Sequence, residues 1–301
     1  MLNTTTKYTF SGHETFACRN LWLKKGYDYV ISGKKFKDED AVVRLGVGKN
    51  MVGAIRFWMK AFNILTTDDE ITDFGHRLLA NNGWDPYLED QGTLWLLHYQ
   101  LVKTNYASIY NIIFTHFRRE RMSFNKDMFV SYMIKRSDIE GTGNLNTNTL
   151  SSDFAIFARM YSGYRRTSHK DSEMEELNSK FFSDLGFLDV IETEINNDKK
   201  GTEERYQIID DERFELPNEI FLYSILDTFA DTTSISIKQI ENENNGPGLI
   251  FAINHKGISD KLKDIDQKNQ DVVYSEQSGI KEIQWKNRLV PFNILNKYYE
   301  Q

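Results

Sequence analysis

Apolar side chains recur at helical spacing along most of the chain, and short polar turns separate the recurring stretches. The stretch 51–63 is the clearest case, because its bulky apolar residues stand four, three and four positions apart. They are Met51, Ile55, Trp58 and Phe62. This spacing predicts a helix with one face against a core. Arg56 and Lys60 fall outside the apolar stripe, so we expect them on the exposed side.

The residues before this helix predict a helix-turn-helix motif. The sequence DEDAVVRLG, 38–46, is typical of a short helix that ends at Gly46, and Asn50 is expected to cap the longer helix. Two helices joined by a glycine-containing turn are the pattern of a helix-turn-helix. The GVGK sequence at 46–49 lacks the remaining residues of a phosphate-binding loop, which favours the turn interpretation.

The residues after it predict a wing. Ile64–Leu65 and Ile71–Thr72 flank the polar turn TTDDE and are expected to pair as a small hairpin, and a further helix is predicted over Phe74–Ala80. This order is that of a winged helix. The wing carries Asp68, Asp69 and Glu70, which phosphate would repel. We therefore expect any DNA contact through the second helix of the motif.

The N-terminal sequence SGHETFACRNLWLKKG, 11–26, predicts an earlier helix. Ser11 and Glu14 stand three residues apart, as in a capping box, and Gly26 has the position of a helix stop. A short strand is expected over Tyr27–Ile31.

The rest of the chain predicts a mostly helical centre and a mixed C-terminal part. The centre, about 92–161, includes two helices that resemble a looser helix-turn-helix. The inward residues of its second helix are expected to be Leu150, Phe154, Phe157 and Tyr161. In the C-terminal part we expect helices over 173–185, 219–229, 234–243 and 259–265, a hairpin over 187–209, a strand over 249–253 and a strand pair around 278–279.

These patterns predict an α+β fold, mainly α with small β hairpins, built from winged helix-turn-helix-like modules around a central helical bundle. We expect an N-terminal DNA-binding domain at 1–90, a central helical domain at 91–170 and a C-terminal winged-helix-like domain at 171–301. The polar stretch 162–172 is the expected boundary between the last two.

Charge changes the functional picture only when it is counted by segment. The 301 residues carry a net charge of −7, which taken alone argues against a nucleic-acid partner. Residues 1–67 nevertheless sum to +6 and residues 101–136 to +5, whereas residues 68–100 sum to −6 and residues 137–301 to −12. Two basic regions on an acidic chain are compatible with DNA binding, and the acidic remainder is expected to face protein partners.

The candidate DNA contacts lie on and around the second helix of the motif. They are Lys49, Asn50, Arg56 and Lys60. Lys and Arg bind phosphates and guanine edges, and Asn pairs with adenine. The alternative is an ordinary solvated helix face. DNA binding is favoured because residues 41–67 contain four basic residues and no acidic one.

Candidate catalytic chemistry is concentrated at His13, Glu14 and Arg19. An imidazole can transfer protons, a carboxylate can act as a base or bind a metal, and a guanidinium can hold a phosphate. The alternative is the structural role that the capping box gives these residues. Elsewhere, the chain lacks a PD nuclease motif, and a relaxed set of Asp184 or Asp189 with Asp198 and Lys200 is the weaker nuclease hypothesis.

Two long motifs resemble a known bacterial family. FSGHETFACRNLWLKKGYDYV, 10–30, and DAVVRLGVGKNMVGAIRFWMKAFNIL, 40–65, are similar to the family called domain of unknown function 4007. NTLSSDFAIFARMY, 148–161, and PFNILNKYY, 291–299, also resemble it, so the resemblance extends over nearly the whole chain.

The resemblance implies a function in DNA phosphorothioation, an anti-phage modification in which sulfur enters the DNA backbone. Members of the family are encoded beside a cysteine desulfurase and a sulfurtransferase-like ATPase, the phosphoadenosine-phosphosulfate-reductase-like protein, and the role assigned in the family is that of a DNA nickase. These proteins and double-stranded DNA are therefore the expected partners. By the same resemblance His13, Glu14 and Arg19 match the N-terminal signature, and Lys49, Asn50, Arg56 and Lys60 match the helix-turn-helix.

Two functions from different classes therefore remain open. The first is a DNA nicking endonuclease, for which a divalent metal, magnesium or manganese, is the expected cofactor. The second is a non-catalytic winged-helix subunit that recognises DNA as a scaffold or local regulator. In either case we expect a cytoplasmic protein without a membrane partner, because the chain has one cysteine, lacks a secretory signal and has no apolar run near the roughly 18 to 20 residues that a spanning helix needs.

Overall fold

Helices dominate the fold, and two small antiparallel sheets complete it, so the predicted α+β class is confirmed. The structure is a computed structural model that describes residues 8–162, 180–194, 202–230, 232–277, 279–287 and 289–300. The helices are α1 Trp22–Ile31, α2 Ala41–Leu45, α3 Lys49–Ala61, α4 Asp73–Leu79, α5 Gln91–Thr104, α6 Ser108–Ile112, α7 Arg118–Glu120, α8 Lys126–Glu140, α9 Thr147–Tyr161, α10 Asn218–Thr228, α11 Ile237–Asn242, α12 Pro247–Ile250, α13 His255–Lys268 and α14 Pro291–Tyr299. The strands are β1 Asp189–Glu194, β2 Thr202–Gln207, β3 Ser234–Ser236, β4 Val272–Gln277 and β5 Ile280–Trp285.

The N-terminal helix differs from its prediction. Residues 11–15 form turns, and α1 begins only at Trp22, so the capping box from Ser11 to Glu14 is not formed. The expected strand over 27–31 is the second half of α1. Gly26 does not end the helix but lies inside it, where a Cβ would come within 2.2 Å of Sδ of Met59. The glycine therefore permits the close packing of α1 on α3.

The predicted helix-turn-helix segment has its expected elements. The short helix α2 ends at Gly46, whose φ of 63° lies in the left-handed region that glycine adopts easily. The cap of α3 is Gly48 rather than Asn50, since the helix already begins at Lys49. The predicted inward residues of α3 are confirmed: Met51 is half-buried, and the other three are fully buried.

The segment after α3 is the expected minimal hairpin. Leu65 and Ile71 form an antiparallel bridge across the polar turn. Thr72 then caps α4 by accepting a hydrogen bond of 2.9 Å from the backbone N–H of Gly75. The chain thus returns to the core directly after the acidic turn.

The central part, α5 to α9, is helical as predicted. One π-helical turn, Ile113–Phe117, continues α6 into α7. The four residues of α9 that the periodicity placed inward are buried.

The imidazole of His98 on α5 lies at the centre of this bundle and is fully buried. Its Nε2 lies 2.8 Å from the carbonyl oxygen of Ile250, so Nε2 must donate, and the hydroxyl of Tyr161 donates to Nδ1 over 2.7 Å. Burial lowers the pKa of His98 to about 3, which keeps the ring neutral.

The C-terminal part follows its prediction less closely. The hairpin is present as β1 and β2, with Val190 opposite Tyr206, and the last strand pair is present as β4 and β5. The predicted helix over 234–243 is instead strand β3 followed by α11. The predicted strand over 249–253 is wrong at its start, which is the end of helix α12, and only Ile253 pairs as a strand would, in an isolated parallel bridge with Asp211. Residues 163–172 of the proposed boundary, residues 173–179 of the predicted helix, and Asp198 and Lys200 lie outside the described residues. The end of that predicted helix is a short 3-10 turn, Ser183–Leu185.

Side-chain contacts join the three predicted domains. The indole of Trp84 stacks on Tyr299 of α14 with a centroid distance of 5.4 Å, and its Nε1 donates to Oδ1 of Asn296 over 2.9 Å. Nη1 of Arg118 on α7 contacts Oδ1 of Asp210 at 2.6 Å. The division into three domains stays a prediction. In the described part of the chain, no helix is long and apolar enough to cross a membrane.

Candidate nucleic-acid interface

The polar side of α3 is a single stripe along the helix. Lys49, Gly53, Arg56 and Lys60 stand four, three and four residues apart, opposite the buried apolar stripe. At its N-terminal end, Lys49, Asn50 and Gly53 are exposed. Gly48 caps the helix without a side-chain hydrogen bond.

The C-terminal end of the stripe is covered by the turn 66–70 between Leu65 and Ile71, the segment predicted to be a wing and called the wing below. Asp69 accepts a hydrogen bond of 2.7 Å from Nε of Arg56, and the same oxygen lies 2.8 Å from Nζ of Lys60. Lys60 also donates to the carbonyl oxygen of Thr67 over 2.6 Å and is only 7% exposed. Two of the three cations predicted to meet DNA, Arg56 and Lys60, are therefore paired with a carboxylate of the protein itself.

Electrostatics agree with this ion-pair cluster. Burial alone would raise the pKa of Asp69, but the hydrogen bonds from Arg56 and Lys60 hold the pKa of this carboxyl below its ordinary value. The hydrogen bond with Asp69 likewise raises the pKa of Arg56. The wing thus neutralises the cations of α3 that it covers.

Residues 11–15, which we call the N-terminal loop, lie against α3. The loop has an uncommon backbone, because Ser11, Glu14 and Thr15 have φ values of 68°, 50° and 67°. For non-glycine residues such left-handed conformations cost about 1 kcal/mol or more each. The surrounding contacts must therefore hold the loop in this shape.

Close packing on α3 provides part of that support. A Cβ on Gly12 would lie 2.3 Å from Cδ2 of Phe57, so only glycine fits there without movement. Nε1 of Trp58 donates to the carbonyl oxygen of Phe16 over 2.9 Å. Cγ of Glu14 lies 3.7 Å from the position that a Cβ of Gly53 would occupy. The exposed Glu14 therefore lies against the polar stripe of α3 at Gly53, one helical turn from Lys49.

His13 belongs to the N-terminal loop, but its side chain points into the protein and not toward the surface. Its side chain is 1% exposed and stacks on Trp58 with a centroid distance of 5.8 Å. Nε2 is 3.1 Å from Oδ1 of Asp153 on α9, but neither ring nitrogen makes a hydrogen bond of good geometry. The imidazole is therefore shielded from any ligand at the surface.

Arg19 lies outside the N-terminal loop that contains His13 and Glu14. It precedes α1, is half-buried, and its guanidinium carbon lies 5.4 Å from the centroid of the Trp22 ring. The structure thus places Glu14 against α3 at Gly53, one helical turn from Lys49, and buries the ring of His13. It pairs Arg56 and Lys60 with Asp69 of the wing. The predicted roles of these residues in DNA contact and catalysis stay predictions.

The sequence reasoning missed the acidic partners Asp69 and Asp153 as site residues. Asp153 is 2% exposed, and both of its carboxylate oxygens accept the backbone N–H of Ser11, at 3.0 and 3.1 Å. One signal was available, because Asp153 lies on the apolar stripe of α9 between Leu150 and Phe157. A carboxylate on the buried face of a helix needs a partner inside the protein.

The site does not fit a magnesium ion. Magnesium prefers several oxygen ligands, whereas Glu14 is a single exposed carboxylate and Asp153 is already engaged by Ser11 and His13. Among the described residues, no group of three or more His, Cys, Asp or Glu side chains is arranged to hold a metal ion. We therefore assign no metal to this face.

Comparison with known proteins identifies the family. Residues 10–299 match the family described as "Protein of unknown function (DUF4007)". The chain belongs to this family. It is also similar to the crystal structure of SspB, with 27% identity and a TM-score of 0.82, and to the magnesium ion-bound crystal structure of SspB, with 26% identity and a TM-score of 0.81. Each likeness covers 99% of this chain and 90% of the other. No curated protein matches the chain.

Proposed function

We propose that this member of the family binds double-stranded DNA as a component of a DNA phosphorothioation system and nicks one strand. The likeness to SspB supports a role in such a system. The expected protein partners are the cysteine desulfurase and the sulfurtransferase-like ATPase implied by the family resemblance.

One observation carries the DNA-binding part of the proposal. At the start of α3, Lys49 and Asn50 are exposed in a helix-turn-helix arrangement, and neither has a described side-chain partner within the protein. A lysine can neutralise a phosphate, and an asparagine can reach a base edge when such a helix end enters the major groove. In a winged-helix-like module of this kind, the acidic wing stays away from the duplex and α3 makes the contact.

Glu14 is the group that this geometry offers for nicking. It is an exposed carboxylate side chain whose Cγ lies 3.7 Å from the Cβ position of Gly53, one helical turn from Lys49, so DNA bound by Lys49 would pass beside it. A carboxylate at that place can accept the proton of an attacking water. The buried His13 supports the loop and does not contact the scissile phosphate in this proposal.

A supercoiled-plasmid assay tests both parts. Purified protein is incubated with plasmid in Mg²⁺ or Mn²⁺, and binding and open-circle formation are followed on the same samples. The proposal predicts a gel shift and open circles for the wild type, and a shift without open circles for Glu14→Gln. A shift without any open circles from the wild type would instead favour the non-catalytic scaffold or regulator. No shift at all would contradict DNA binding.

A further inference from the structure

The N-terminal loop is held from two sides. On one side it packs on α3 through Gly12 and the Phe57 ring. On the other side it meets α9, from which the carboxylate of Asp153 reaches Ser11 and His13. The loop residues Ser11, Glu14 and Thr15 have left-handed backbones, so the loop depends on these two supports for its shape.

The two supports differ in kind. The contact with α3 is mainly apolar and aromatic, and it fixes how closely the loop lies against the helix. The contact with α9 is polar and directional, because Ser11 donates to both oxygens of one carboxylate. This bifurcated hydrogen bond from one N–H restrains the peptide at Ser11, where the left-handed turn begins.

The polar contacts of the Asp153 side chain are directed at this loop. In the part of the chain that the structure describes, its hydrogen bonds go to the N–H of Ser11, and its other close polar contact is with Nε2 of His13. Asp153 thus links α9 to a surface loop whose exposed member, Glu14, lies over Gly53 of α3.

We infer that Asp153 is a positioning residue for the DNA-contacting face: it holds the N-terminal loop so that Glu14 lies against α3 at Gly53, one helical turn from Lys49. Asp153 does not touch DNA, and His13 acts with it as the buried part of the same support. The expected effect of Asp153 on nicking rests on the proposed function, because the position of Glu14 matters for nicking only if Glu14 acts on a strand bound at α3.

The claim that Asp153 holds the N-terminal loop in place is tested without DNA. Asp153→Asn keeps one oxygen acceptor but removes the charge and the second acceptor, so we expect it to fold. Hydrogen exchange in the DNA-free protein should become faster in the peptide that covers residues 9–16 and stay unchanged in peptides from α8 and from the C-terminal half of α3. Unchanged exchange in 9–16 would overturn the inference whether or not the protein nicks DNA.

The consequence is tested on the full chain with plasmid DNA. Because a displacement of about 1 Å in a reacting group can cost 100-fold in rate, Asp153→Asn should slow nicking at saturating DNA at least about tenfold. The dissociation constant for DNA, which Lys49 and Asn50 determine, should stay within about twofold of the wild type. Asp138→Asn, an exposed acid on α8, is the matched control and should match the wild type in both.

Three results are distinguishable. Slow nicking with unchanged affinity and melting temperature supports a positioning role. Parallel loss of affinity, nicking and melting temperature would overturn it in favour of a purely structural role. If the wild type binds DNA but does not nick it, the nicking part of the proposed function fails. The hydrogen-exchange comparison then still decides whether Asp153 holds the loop.

Discussion

The carboxylate of Asp69 in the wing lies 2.7 Å from Nε of Arg56 on the polar stripe of α3. This pair explains why an acidic wing can adjoin a helix that the sequence marks as basic. The wing has no described contact with the exposed start of α3, the end that we propose binds DNA. It neutralises the far end, where Lys60 is buried beneath it.

Loss of the ion pair between Asp69 and Arg56 should increase the affinity for DNA. In Asp69→Asn the ion pair is weakened, and Arg56, which is 36% exposed along its side chain, becomes available to phosphate. We expect the dissociation constant for duplex DNA to fall roughly two- to fivefold, the range of one exposed ion pair. Fluorescence anisotropy with a labelled duplex measures it.

Asp68→Asn is the matched control for that variant. It removes the same charge from an exposed neighbour in the wing that has no described pair with α3. If the two variants bind DNA equally well, the effect belongs to wing charge in general and not to the release of Arg56.

The buried His98 predicts a pH dependence of stability. Its folded pKa of about 3 lies below the ordinary value of 6.5, so the unfolded chain binds a proton that the folded protein does not bind between these values. The contribution of His98 is therefore full above pH 6.5 and is lost as the pH falls toward 3. Between pH 6.5 and 5 the free energy of unfolding should decrease by about 2 kcal/mol.

Urea unfolding at several pH values measures this slope. His98→Gln should flatten it, whereas His255→Gln, which changes an exposed histidine, should leave it unchanged. An equal slope in wild type and His98→Gln would show that another group is responsible.

The contact between Trp84 and α14 predicts that the N- and C-terminal ends unfold together. Trp84→Ala removes the stacking on Tyr299 and the hydrogen bond to Asn296, and it should cost about 3 kcal/mol. Trp84→Phe keeps an aromatic ring but loses the hydrogen bond, and it should cost about 1 kcal/mol. Two separate thermal transitions in the wild type would contradict this coupling.

The sequence predicted those features that depend on neighbours along the chain. The four-three-four spacing in α3 correctly identified Ile55, Trp58 and Phe62 as core residues, and Gly46 correctly marked the end of α2. Both signals are local, because helical periodicity and a left-handed stop involve residues within a few positions of each other.

The sequence did not predict the contacts that a residue makes with a partner from another part of the chain. Ser11 and Glu14 have the spacing of a capping box, but the N–H of Ser11 is bound by Asp153, 142 residues away. Arg56 and Lys60 are off the apolar stripe, as predicted, but Asp69 binds both. Periodicity gives the direction of a side chain from its helix and cannot give what another element brings to meet it.

The salt dependence of DNA binding tests the central claim most directly. The dissociation constant for a duplex is measured at several salt concentrations for the wild type, for Lys49→Ala and for Lys263→Ala, which changes an exposed lysine on α13. If DNA lies on the start of α3, Lys49→Ala should weaken binding and reduce the slope of log K against log salt by about one, while Lys263→Ala should match the wild type. An unchanged slope and affinity for Lys49→Ala would contradict the proposal that this face binds DNA.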